Sequence, residues 1–210
     1  MKAIVTGYSS GIGYAICEEL KKNNYQIFKL KTRLENINDL EKEVKNILKQ
    51  HDINLLVNCA GVGVFEPLEE ISLSKIEELI AVNLKAPIVL TSLTLRSLKK
   101  TKGKIINISS IEATKHSKFS ALYTATKSGL RDFSLALFEE VRKSGVGVTS
   151  INPDLTKSDF FDTLNFQPSS KDKYHLTTQE IAKTVIEIIN TKGVITDITL
   201  RPQYFGIEKK

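Results

Sequence analysis

Short runs of β-forming residues alternate with longer stretches of helical period along almost the whole chain, and this alternation limits the fold more than any other feature. The patterns predict strands near 2–6, 25–30, 53–58, 103–109, 146–151 and 196–200, and helices near 11–23, 39–50, 73–99, 121–144 and 178–191. Strand, helix, strand in that order builds a parallel sheet with helices on both faces, because parallel neighbours need a crossover that packs back on the sheet. The expected fold is α/β: a Rossmann-like, doubly wound sheet of about six to seven strands, one domain over 1–210. Gly103, Gly145 and Gly193 precede strands, where helix-terminating glycines belong. Between Leu30 and Asp39 there is no room for the ~10-residue crossover that another parallel strand needs, so the sheet should be shortened at the edge after the second strand. Residues 154–177 are polar yet contain Phe160, Phe161 and Phe166, which predicts a small loop or lid folded over something apolar.

With 210 residues, 41% of them apolar, the chain can bury a real core. The net charge of +6 comes mostly from lysines scattered over helix faces, which reads as solvated surface or as a preference for an anionic ligand. No basic run with interleaved aromatics points to nucleic acid. No apolar stretch approaches the ~18 residues of a membrane span. Cys17 and Cys59 match no metal spacing and stand beside no obvious base, so both are expected to be packing residues, with no metal site. The opening Met1 to Val5 reads as a strand and not as a signal peptide, and the expected compartment is the cytoplasm.

Two local patterns point to chemistry. Ala3 to Thr6 is followed at once by Gly7, Ser9, Ser10, Gly11, Ile12 and Gly13 and then by a helix. Strand, glycine turn and helix N-terminus form an anion site, where unpaired N–H groups and the helix dipole attract phosphate; a dinucleotide pyrophosphate is the natural guest. Tyr123 and Lys127 stand at the start of a helical pattern, so they share a face and an ammonium can stabilise a phenolate. Tyr25 and Lys29 repeat the spacing, but in a strand, where residues four apart sit roughly 13 Å from each other, too far to share a proton.

Taken together, Thr6 to Gly13, Asn58 with Ala60 and Gly61, Asn83, Ser110, Tyr123 with Lys127, and Asn152-Pro153 resemble the ordered motifs of the short-chain dehydrogenase/reductase family, from Lys2 to about Pro202. The resemblance implies hydride transfer between a nicotinamide cofactor and a small or medium carbonyl or alcohol. It implies that Tyr123 donates or accepts the proton, that Ser110 holds the substrate oxygen, and that Lys127 lowers the Tyr123 pKa and holds the ribose. Asn83 would support a water that relays protons to Lys127, and Pro153, Thr156 and Ser158 would hold the carboxamide. Ser110 is chosen over Ser109 because its spacing matches and because strand alternation turns Ser109 to the other face.

An acidic residue after the second strand would favour NAD; this chain has Lys31, Thr32 and Arg33, which suit the 2′-phosphate of NADP, with NAD(H) still possible. Asn36, with Ile37, is expected near the adenine. Asp154 replaces a frequent glycine and either biases the cofactor or points to solvent, and Glu112 either faces the substrate or lies on the surface. The leading expectation is an NADPH-dependent carbonyl reductase or alcohol dehydrogenase. The alternative is a non-catalytic NADP(H)-binding regulator, although such a protein has no need of proton-transfer groups in register. A nucleotide-sugar epimerase or dehydratase would need a larger substrate domain. Homodimers or homotetramers, through 73–99 and 121–144, complete what the resemblance implies.

Overall fold

A computed structural model describes all 210 residues. Six strands form one wholly parallel sheet: β1 (Lys2–Val5), β2 (Gln26–Phe28), β3 (Leu55–Asn58), β4 (Lys104–Ile108), β5 (Gly147–Pro153) and β9 (Asp197–Leu200), in the order β2-β1-β3-β4-β5-β9. The connecting helices are α1 (Gly11–Lys22), α2 (Ile37–Gln50), α3 (Leu73–Ile80), α4 (Ala86–Thr101), α5 (Ala121–Val141) and α6 (Thr178–Asn190). All six strands and all the helical stretches fall where the periodicity put them.

Period-two alternation divides the strand side chains between two cores. Ala3, Val5, Leu55, Val57 and Ile106 face α1 and α6, meeting Ile16, Leu20, Val185 and Ile188. Ile4, Leu56, Ile105 and Val148 face the other way, onto Leu40 and Val44 of α2, Leu90 and Leu98 of α4, and Leu137 and Val141 of α5. Each fully buried Leu, Ile or Val contributes about 1.5–3 kcal/mol.

The chain leaves β1 toward β2 on one side, then crosses back to β3 on the other. The two connections part at the carboxyl ends of β1 and β3, the usual ligand crevice of such a sheet. The sheet ends at three-residue β2, and residues 29–36 run directly into α2. The missing crossover therefore does shorten this edge.

Several expectations need correction. The run Leu73–Thr101 is long and apolar enough to cross a membrane by length and composition, contrary to the reading that no stretch qualifies. Here it is a helix of the fold, interrupted by a π-turn at Ala81–Lys85 and burying Leu79, Leu90 and Leu98. Gly103 is not a left-handed cap; Lys102 holds that conformation (φ +51°), while a Cβ on Gly103 would come within 2.4 Å of the Asn54 carbonyl. Gly193 has neither need. Residues 154–177 are more ordered than a loop, with β6 (Thr156–Lys157), β7 (Phe166–Pro168) and β8 (Leu176–Thr177). Strand β10 (Ile207–Lys209), absent from the sequence reading, pairs antiparallel with β7.

Candidate active site

The turn after β1 is built by close backbone approach. Gly7 has φ +68°, and a Cβ there would lie 2.9 Å from the Ala60 backbone; one on Gly13 would lie 2.1 Å from the Gly7 carbonyl. Thr6 Oγ1 accepts from the Cys59 and Ala60 N–H groups at 3.0 and 3.1 Å, locking the ends of β1 and β3 together. Ser10 caps α1 without a side-chain hydrogen bond, and the first turn carries no acid. Its N–H groups and dipole are therefore available to an anion.

A cavity of about 710 Å³ opens from this turn. Gly7, Ser9, Ser10, Gly11, Ile12 and Gly13 line one end. Ala60, Gly61, Ser110, Tyr123 and Lys127 line its middle, and Pro153, Thr156 and Ser158 a further wall. A second cavity of about 320 Å³ lies across Gly7, Ala60 and Gly61, lined by Thr32, Arg33, Leu34 and Glu35. Neither cavity is lined by Lys31 or Asn36: Lys31 is exposed, and Asn36 stands exposed at the N-cap of α2. The Lys31 and Thr32 N–H groups donate to Glu43 of α2 at 2.8 and 2.9 Å. Burial raises the pKa of Glu43, but those two donations outweigh it and hold the carboxyl below its usual range. No local signal marks Glu43, because its partners lie more than ten residues away.

Ser110, Tyr123 and Lys127 are all buried. Ser109 Oγ donates to the Lys127 carbonyl at 2.8 Å, leaving Ser110 as the serine beside the phenol. Burial raises the Tyr123 pKa well above that of a free phenol; the Ser110 hydroxyl lowers it and Glu112 raises it further. Lys127 Nζ donates to the Ile108 carbonyl at 3.0 Å and lies 5.9 Å from the centre of the Tyr123 ring. Burial lowers the Lys127 pKa from 10.5 to about 8. A Cβ on Gly61 would come within 3.1 Å of that ammonium, so the glycine keeps the Lys127 side of the cavity open.

Asn83 and Asn58 line neither cavity. Fully buried in the π-turn, Asn83 accepts from the Val62 N–H and donates to the Val62 carbonyl, both at 2.9 Å, and donates to Thr126 at 3.2 Å. Its side chain thus fixes the Gly61-Val62 loop. Asn58 Nδ2 donates to Asn107, which donates to Ser134, each at 2.7 Å, tying β3 to β4 and α5.

Glu112 is not a surface residue. It is buried and accepts from Ser117 N–H, Ser117 Oγ and Ser120 Oγ, shaping the 114–120 loop. Nor does Asp154 point to solvent: it is buried, and its Oδ2 accepts from Arg201 Nε at 3.0 Å. As expected, the phenylalanines of 154–177 fold over an apolar centre. Phe160 and Phe65 pack on the Tyr123 ring at 6.0 and 5.1 Å, and Phe166 meets Phe65 edge-on at 5.2 Å.

The family model described as short chain dehydrogenase matches residues 45–168, more than half of the sequence. The chain belongs to the short-chain dehydrogenase family. This member is an oxidoreductase by family. It is 31% identical over 186 residues to the 3-oxoacyl-(acyl-carrier-protein) reductase FabG of Buchnera aphidicola, covering 78% of this chain and 76% of that one. An uncharacterized oxidoreductase of Staphylococcus epidermidis is 27% identical, over 95% of this short-chain dehydrogenase and 96% of the relative. Among solved structures, a metagenomic short-chain oxidoreductase in complex with NADP superposes with a TM-score of 0.83 at 27% identity, covering 97% and 98% of the two chains. An alcohol dehydrogenase from the archaeon Thermococcus sibiricus, complexed with 5-hydroxy-NADP, has a TM-score of 0.87 at 23% identity over 97% of each chain; this likeness speaks for the fold.

Proposed function

We propose that this short-chain dehydrogenase is an NADPH-dependent reductase of small or medium carbonyl compounds, reversible toward the alcohol, with Tyr123 as its general acid and base. One observation carries the reading: the glycine turn and Ser110, Tyr123 and Lys127 line a single cavity. The residues suit a nicotinamide dinucleotide. The uncapped N-terminus of α1 would take the pyrophosphate, and Thr32 with Arg33 the 2′-phosphate in the smaller cavity. Lys127 would hold the nicotinamide ribose, and Pro153, Thr156 and Ser158 the carboxamide. When bound, the cofactor supplies the hydride to the carbonyl carbon. Ser110 holds the carbonyl oxygen and Tyr123 gives it the proton, so the alcohol leaves neutral and the phenolate is reprotonated from solvent.

A phenol whose pKa is raised by burial is protonated at neutral pH, which suits reduction. Assembly into a homodimer or homotetramer through α3–α4 and α5 belongs to the same reading, and gel filtration tests it; Leu73, Ile80 and Ile88 are exposed on that run. Residues 1–210 act as one domain, and the cytoplasm remains the proposed compartment. The decisive experiment pairs cofactor fluorescence with turnover of a ketone and aldehyde panel by the parent and Tyr123→Phe. NADPH should bind more tightly than NADH, and the variant should keep that binding while losing at least about a hundredfold in kcat. Unchanged turnover in the variant would overturn the role of Tyr123, and NADPH binding by the parent without turnover of any compound would leave a cofactor-binding regulator as the better account.

A further inference from the structure

The mouth of the larger cavity carries charge and aromatic surface that the proton chemistry does not use. Of its acidic groups, Glu78 is paired with Lys75 at 2.8 Å, Asp154 with Arg201, and Glu112 with three donors from Ser117 and Ser120. Asp159 is exposed on the Ser158–Phe161 wall. Lys118 has no carboxylate partner, and Lys115 only the edge of Glu112 at 4.0 Å. Each ammonium instead stands over an aromatic ring: Lys118 at 4.7 Å from the centre of Phe119, Lys115 at 5.3 Å from that of Phe205.

Neither ring serves the core. Phe119 is 45% exposed and Phe205 60%. Phe119 also holds φ +65°, a left-handed conformation that costs a residue with a Cβ about 1–2 kcal/mol. Deeper in, Phe65 and Phe160 flank Tyr123, so the path from rim to phenol is aromatic. A ring beside each ammonium puts apolar surface next to a positive charge at the cavity rim.

We propose that the site selects carbonyl compounds with an apolar, aryl-sized body and a carboxylate, the carboxylate held at the rim by Lys115 and Lys118 and the body lying against Phe119 and Phe205. This rests on the reductase reading, and its test keeps the two apart. With NADPH, reduction of 4-acetylbenzoate is compared with that of its neutral methyl ester, and the thermal shift given by each compound is measured in parallel. The parent should favour the acid in kcat/KM by about tenfold, the value of one charge-assisted hydrogen bond. Lys115→Gln/Lys118→Gln should collapse that ratio toward one, whereas Lys75→Gln, which removes a cation already paired, should leave the ratio intact. Equal reduction of acid and ester by the parent overturns the inference and leaves the reductase reading standing. If neither compound is reduced, a thermal shift by the acid that the double variant loses supports the anion site and counts against the reductase reading. No shift with either compound overturns the anion site.

Discussion

Lys127 is pulled two ways. Its ammonium is buried against the Ile108 carbonyl, and burial lowers its pKa to about 8, so at neutral pH the fold holds a charge that water would solvate better. The unfolded chain binds that proton more tightly. The cost is therefore full below about pH 8 and fades as pH rises toward 10.5, and it is on the order of 3 kcal/mol. Lys127→Met should abolish turnover yet melt at or above the parent temperature at pH 7, with the gap narrowing toward pH 10. A large loss of stability at pH 7 would contradict this. In the parent, reductive kcat/KM should hold to about pH 8 and fall as Lys127 loses its proton. At the other end of the crevice, Arg33 lines the smaller cavity and forms no ion pair. Arg33→Ser should cut the preference for NADPH over NADH by about tenfold in fluorescence titrations.

At the scale of elements, α6 begins with a full capping box: Thr177 Oγ1 accepts from the Glu180 N–H at 3.2 Å, and Glu180 accepts from the Thr177 N–H at 2.7 Å. Thr177→Ala should cost about 1 kcal/mol and lower Tm by about 2–4 °C, measurable by calorimetry. At this scale much was legible in the sequence. The long helices and central strands repeat a burial pattern over many residues, and the missing crossover is a matter of counting. Strands β6, β7, β8 and β10 escaped because two or three residues carry no period. The site was readable as a set of residue types and less so as a set of directions. Sequence spacing puts Lys127 on the Tyr123 face of α5, but only the packed cavity turns its ammonium to Ile108. Asp154 and Glu112 were ambiguous because their partners, Arg201 and the 117–120 serines, are brought to them by tertiary packing or loop closure.

Seen whole, the molecule joins a deeply buried sheet to a thin cover. The central strands are interlocked by two cores, whereas Phe166 and Ile207 reach the cavity lining from the three-residue pairing of β7 with β10, from Phe166↔Lys209 to Pro168↔Ile207. Glu208 strengthens this pairing by accepting from Ser169 Oγ and the Ser170 N–H, both at 2.9 Å, the first bond part-buried and the second exposed. So short a ladder opens at a free energy far below that of global unfolding. Native-state hydrogen exchange should show it directly: amides of 166–170 and 207–209 exchanging through local opening, while those of β3, β4 and β5 wait for the whole molecule. The entrance to the site would then open and close many times in the life of one folded molecule.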